Sequence, residues 1–290
     1  MPKVNIATTA RDQKILKFLW RWRYASTSAL AIKYFDSASK KRAYNRLNRL
    51  KHRGLLVQVH VPAFESSAWC LSGRGFAVIK ETLPQLTNTH FLNQQHDHDF
   101  LVSAFHLGDW LKGVPEGAQL ISEQQLKCID NKLFPKWVPS IEMHRPDGYT
   151  KFESNDGQPE ILAIEVEISR KAPSRYVKVR DFYDYYKSVS AVIWVVPNRA
   201  AATRIYKQLG CNNTGKHAPH NFLLLKDVLQ CGWNAKVNLG RFSGTSYREV
   251  LATLLGEKGV KSQWSDTSLE MLNLQICPVK TDSSKVSQKP

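Results

Sequence analysis

Apolar residues recur at helical spacing in three successive early segments and then switch to alternation. In "TARDQKILKFLWRWRYAS" the residues Ile15, Leu16, Leu19 and Trp22 share one helical face, and Thr9 stands where a cap belongs. "STSALAIKYF" predicts a second, shorter helix that starts after Ser26 or Ser28. In "DSASKKRAYNRLNRLKHRGLL" a third helix follows Asp36 or Ser37, with Ala43, Leu47 and Leu50 inward and Gly54 at its C-terminal end. "LLVQVHVP" then alternates and "AWCLS" supplies a second short strand, so the two pair as a hairpin with "AFESS" at its tip. "LSGRGFAVIKETL" begins a further helix.

The second half has a different rhythm. After the polar connector "PQLTNTHFLNQQ", "HDHDFLVSAFHLGDWLKG" predicts a helix with Phe100, Leu101, Ala104, Leu107 and Leu111 inward, and "AQLISEQQL" a strand. "KCIDNKLFPKWVPSIEMH", with two prolines, reads as loop. "RPDGYTKFES" and "EILAIEVEIS" flank the turn signal "NDGQP" and predict an antiparallel hairpin. "RKAPSRYVKVRDFYDYYKS" predicts a helix, "AVIWVVP" a strand buried on both faces, and "NRAAATRIYKQLG" another helix. The expected fold class is α/β (α+β).

Composition changes the picture in one respect. The chain of 290 residues has 42% hydrophobic residues, enough for real cores, yet carries a net charge of +16 and a pI near 9.7. Residues 1–60 hold 14 Lys/Arg against 2 Asp/Glu, so most of the excess sits in the first fifth of the chain. The third helix carries Lys40, Lys41, Arg42, Arg46, Arg49, Lys51 and Arg53 with no acidic residue between Ser37 and Arg53. Helix, helix, basic helix and two-stranded ribbon is the order of a winged helix-turn-helix, and double-stranded DNA is the expected partner. Lys40 and Lys41 would meet phosphates, with Arg42, Asn45, Arg46 and Arg49 toward the groove and Arg53 nearby.

The strand "AIEVEIS" poses the chemical question. Glu165 and Glu167 share one face with Ala163 and Ser169, opposite Leu162, Ile164, Val166 and Ile168. Either this is the solvated face of an edge strand, or a cation offsets the repulsion between the two carboxylates. Asp147, near the end of the partner strand, can converge on the same point, and three hard oxygen ligands suit Mg2+ or Mn2+.

Pro146 and Asp147, followed by Glu165, Val166 and Glu167, resemble the PD-(D/E)XK motif of restriction-endonuclease-like nucleases. With a winged helix in front, residues 10–210 are similar to the replication-relaxation family and to the MOBC class of conjugative relaxases. Element order and composition set a winged helix DNA-binding domain at 8–83, a polar linker at 84–95 and a largely disordered polar tail at 261–290, and the resemblance makes the part between, 96–260, a nuclease-like domain. The resemblance implies metal-dependent, site-specific nicking of an origin-like DNA site during mobilisation or replication of a plasmid or integrating element, with accessory relaxosome proteins as partners. Asp147, Glu165 and Glu167 would be the metal ligands. Glu167 stands where most such nucleases carry lysine, and Lys171 or Lys178 would supply that charge. On the first helix of the core, His96, His98 and Asp99 match the position of a further polar group, with His98 and Asp99 favoured. The nucleophile is water or a tyrosine, the candidates being Tyr24, Tyr176, Tyr183, Tyr185 and Tyr186. A DNA-binding regulator or accessory factor with an inactive core is the alternative.

Other chemistries find little support. Cys70, Cys128, Cys211, Cys231 and Cys277 form no C-x-x-C pair, and Cys211, His217, His220 and Cys231 lack the spacing of paired zinc ligands. No phosphate-loop signature occurs, so no nucleotide cofactor is expected. With no apolar run of the roughly 18 residues that span a membrane and no signal peptide, a cytoplasmic protein is expected.

Overall fold

The computed structural model describes residues 8–35, 40–62, 66–89, 96–107, 118–140, 142–154, 156–211 and 220–255. It shows a mixed α/β protein. The N-terminal part contains α1 (Ala10–Trp22), α2 (Thr27–Tyr34), α3 (Lys40–His52), the strands β1 (Leu56–Val61) and β2 (Ser66–Leu71), and α4 (Gly73–Ile79). α1 begins in a capping box: the Thr9 side chain accepts from the Asp12 amide, and the Asp12 carboxylate accepts from the Thr9 amide. The predicted stripes are the buried ones, Ile15, Leu16, Leu19 and Trp22 on α1 and Ala43, Leu47 and Leu50 on α3. After α3, Gly54 takes φ +71°, and Leu55 donates its amide back to the Leu50 carbonyl, which ends the helix as a glycine C-cap does. β1 and β2 form an antiparallel ribbon, and Ala25, between α1 and α2, exchanges both backbone hydrogen bonds with Trp69 of β2.

The larger part follows as α5 (His96–His106), β3 (Gln119–Ser122), α6 (Glu123–Cys128), β4 (Gly148–Glu153), β5 (Pro159–Val166), α7 (Pro173–Tyr185), β6 (Val189–Val196), α8 (Arg199–Gln208), β7 (His220–Leu224), α9 (Leu225–Cys231), β8 (Val237–Gly240) and α10 (Tyr247–Leu255). Six strands lie in the order β3-β4-β5-β6-β7-β8. β4 runs antiparallel to both neighbours, β5, β6 and β7 are parallel, and β8 is antiparallel at the far edge. The expected strand in "AQLISEQQL" ends early, at Ser122. There a second capping box, Ser122 with Gln125, turns the chain into α6. Local capping chemistry overrode the apolar alternation.

Helices cover both faces of the sheet. Ile161 and Ala163 of β5 pack with Val192 and Trp194 of β6 against α7 and α8. Leu162, Ile164 and Val166 point the other way, into a cluster that also takes in α5, α10 and the buried residues of α1 to α4. The N-terminal part and the sheet therefore share one continuous apolar core. Residues 84–89 of the expected linker run along it, with Leu86 bridged to Ile129. The rest of that linker, Leu111, His217, Cys277 and the expected tail lie outside the described residues. No helix among the described residues is long and apolar enough to cross a membrane.

Candidate functional site

β5 is a central strand, paired with β4 on one side and β6 on the other, so its carboxylates are no surface decoration. Glu165 is 8% exposed and Glu167 5%. Of the two alternatives, the solvated edge strand is thereby removed, and each buried charge needs a partner. The alternation holds: Glu165 lies on the Ala163 side, where Tyr183 of α7 donates its hydroxyl to Oε1 at 2.7 Å and His144 Nε2 lies 2.5 Å from the same oxygen. Burial first, and then the neighbouring Glu165 charge, push the Tyr183 hydroxyl well above the ordinary phenol range, so it stays a donor.

Glu167 stands just beyond the end of β5, its amide donating to the Val195 carbonyl. Oε2 receives Lys171 Nζ at 2.9 Å, while Oε1 is buried without a hydrogen-bond partner. Burial raises the Glu167 pKa, and Lys171 only partly pulls it back. A buried carboxylate oxygen with no donor in the chain is rare in folded proteins and calls for a partner outside it, an ordered water or an ion.

Asp147 precedes β4. Its amide donates to the Ile164 carbonyl, and its Oδ2 accepts from the Val166 amide at 2.6 Å, which fixes the carboxylate to the end of β5. The next residue has to be glycine here. A Cβ on Gly148 would come within 2.4 Å of His106 Nε2. His98 on α5 reaches across with Nε2 3.5 Å from Asp147 Oδ2 and 3.1 Å from the Val166 carbonyl, and Nδ1 3.2 Å from Asp99. Burial alone would lower the His98 pKa, but Asp147 and Asp99 raise it to about 10, so both ring nitrogens donate. Against its own burial, Asp147 is held below the usual carboxylate range by His98, the Val166 amide and the Lys171 charge.

A further charged group backs this one. Arg23, at the end of α1 with φ 63°, is 8% exposed and bonds Asp99 at 2.8 Å and Gln124 at 2.9 Å, with Glu123 at 3.4 Å. Arg145 approaches the other Glu123 oxygen at 4.0 Å. Burial and the nearby Asp147 charge raise the Glu123 pKa, and Arg23 opposes the shift. The predicted set therefore divides. Asp147, His98 and Asp99 are linked to one another, Glu167 pairs with Lys171, and Glu165 turns to His144 and Tyr183, whereas Lys178 is exposed on α7. Tyr24 is buried with its hydroxyl 2.5 Å from His96 Nδ1, Tyr176 and Tyr183 are buried, and Tyr185 is 72% exposed.

His144, Arg23, Glu123 and Arg145 escaped sequence reasoning. His144 lies in a proline-broken stretch with no periodicity, and Arg23 carries no motif. Only the Ser-Glu-Gln-Gln cap could have singled out Glu123.

The donor chemistry suits a hard cation: carboxylates at adjoining strand ends, one with a buried oxygen that has no partner. The side chains are not gathered into a cage, however. Among the described residues no group of three or more His, Cys, Asp or Glu is arranged to hold a metal ion. Glu165 is turned to His144 and Tyr183.

On α3, Lys40, Lys41, Arg42, Tyr44, Asn45 and Arg49 are exposed, and Arg53, just past the helix, is half-buried. Arg46 departs from the expectation that it faces the groove. Its guanidinium makes a two-point ion pair with Asp12, the fully buried carboxylate that also closes the capping box of α1. The chain matches no family model, no curated protein and no solved structure.

Proposed function

We propose that this protein binds double-stranded DNA through a winged helix formed by α1 to α3 and the β1–β2 ribbon, and nicks it at the carboxylates around the end of β5. The DNA-binding half rests on the order of the elements, the tie of β2 to Ala25, and the exposed cations of α3. The strand order and the placement of Asp147 beside β5 agree with a restriction-endonuclease-like core, as the resemblance to MOBC relaxases implies. The observation that carries the nicking half is the buried, partnerless Glu167 oxygen on a carboxylate paired with Lys171, one residue beyond the Val166 amide that holds Asp147. Mg2+ or Mn2+, when bound, would stabilise charge on the phosphoryl oxygens. The chain's own part is to hold Asp147 in place through His98 and the Val166 amide, and to set Lys171, paired with Glu167, beside the reacting phosphate.

The test is incubation with supercoiled plasmid carrying the DNA that flanks its own coding sequence, with either metal. Relaxed circles are expected, with activity falling roughly a hundredfold or more in Asp147→Asn and Glu167→Gln while gel-shift binding persists. A second reading, a DNA-binding accessory factor with an inactive core, is favoured by one observation: Glu165 is already satisfied by His144 and Tyr183. Binding without metal-dependent relaxation would decide for it.

A further inference from the structure

A second group of cations lies apart from both α3 and the carboxylates. α1, α2, Leu107 just after α5, and β3 border an open pocket of about 730 Å³. Lys14, Lys17 and Arg21 line it from α1, where their spacing stacks them along one helical face, and Lys33 joins them from α2. Phe18 and Tyr34, edge to face with centroids 5.9 Å apart, form an apolar side. Among the described residues no acidic side chain lines the cavity.

Like charges around one space repel each other, and for Lys33 the nearby Arg21 charge adds to the effect of burial. The Arg21 guanidinium donates to the Leu120 carbonyl and lies 5.2 Å from the Trp22 ring, yet its Nε is buried with no hydrogen-bond partner. Lys33 Nζ sits 5.9 Å from both the Phe18 and the Tyr34 ring centroids. Burial lowers the Arg21 pKa to about 10, and burial followed by the Arg21 charge lowers that of Lys33. An anion among these groups would reverse the repulsion and give Nε its acceptor. A bare phosphate would leave the aromatic side unused, whereas a nucleobase would cover it.

We propose that this cavity is a second binding site that takes a nucleoside phosphate, either a free nucleotide or the terminal nucleotide of a single DNA strand. The phosphate meets Lys14, Lys17, Lys33 and Arg21 Nε, and the base lies against Phe18 and Tyr34. None of these residues belongs to α3, the ribbon or the carboxylate group, so the site stands whether or not the chain nicks DNA.

The experiment uses the full chain, with two probes: a short 5′-phosphorylated, fluorescein-labelled oligothymidylate followed by anisotropy at low salt, and thymidine monophosphate as competitor. The combined variant Lys14→Gln, Lys17→Gln, Lys33→Gln should bind the oligonucleotide roughly tenfold or more weakly, and the log–log salt slope should shrink by about 0.7 per lost phosphate contact. The α3 variant Lys41→Gln, Arg42→Gln, Arg49→Gln should keep binding it. Arginine at the same three lysine positions should restore affinity, which separates charge from packing. Competition by the mononucleotide identifies free nucleotide as the ligand, and its failure identifies a strand end. The proposal is overturned if the wild-type chain binds neither probe, if the cavity variant binds like wild type, or if the loss follows the α3 variant instead.

Discussion

On α3 the cations Lys40, Lys41, Arg42 and Arg49 stand exposed with no acidic residue on their helix, whereas Arg23, at the far end of α1, is buried among Asp99, Glu123 and Gln124. The same kind of side chain is thus used in opposite ways. An exposed cation keeps its hydration and costs the fold little, so it remains available to a polyanion. A buried one survives only through its partners, and these in turn depend on it. Arg46 lies between the extremes, on the basic helix but committed to Asp12. The lesson is that charge along a sequence reports on partners only where the fold leaves it in water.

The largest effect that would break this contrast is expected at Arg23. Arg23→Met should leave Asp99 and Glu123 buried without their cation and cost about 3–5 kcal/mol, measured by urea denaturation. A loss below about 1 kcal/mol would mean that the cluster neutralises itself by taking up protons. The next is Asp12→Asn, expected to cost about 1.5–3 kcal/mol through the lost charged hydrogen bonds to Arg46. Although burial pushes the Asp12 pKa up, Arg46 and Thr9 hold it below 3.8, so this contribution is present above that pH and disappears as pH falls through the folded-state value. Stability curves for Asp12→Asn and wild type should therefore converge in acid.

Tyr183→Phe removes the hydroxyl donor to Glu165 and should cost about 1–2 kcal/mol in the same denaturation experiment. The smallest stability effect sharpens the contrast from the other side. Lys41→Gln and Arg49→Gln should each change stability by less than about 0.5 kcal/mol. In duplex binding, each should lower the salt slope by about 0.9 per lost phosphate contact. If either variant melts the protein, these cations are structural and the comparison fails.

The N-terminal elements were legible because their signals are local. Thr9 caps α1, Gly54 ends α3, and the apolar stripes repeat within a few residues, so each element declares itself over one or two turns. The hairpin of β4 and β5 was legible through its turn signal and alternation. Pairing Asp147 with the end of β5 followed from that register, while His98 came from the resemblance, which sets a polar group on the first helix of the core. Glu123 and His144 were not legible, since each meets its partner across a long stretch of chain with no repeating pattern. The ion pair of Arg46 was hidden for the same reason. Its partner Asp12 is 34 residues away, and helical spacing within α3 gives no hint that Arg46 reaches α1.

By itself the sequence determined the N-terminal helices and ribbon, the β4–β5 hairpin with the elements just after it, which face of these is apolar, and where the positive charge concentrates. These properties follow from side chains and backbone within a few residues. Tertiary structure alone decided that β5 is central rather than an edge, that Glu165 and Glu167 are buried, and that α1 and α2 meet β3 around a cavity ringed by cations. Burial depends on which distant surfaces come together, and burial sets whether a charge is solvated, paired or left waiting for a ligand.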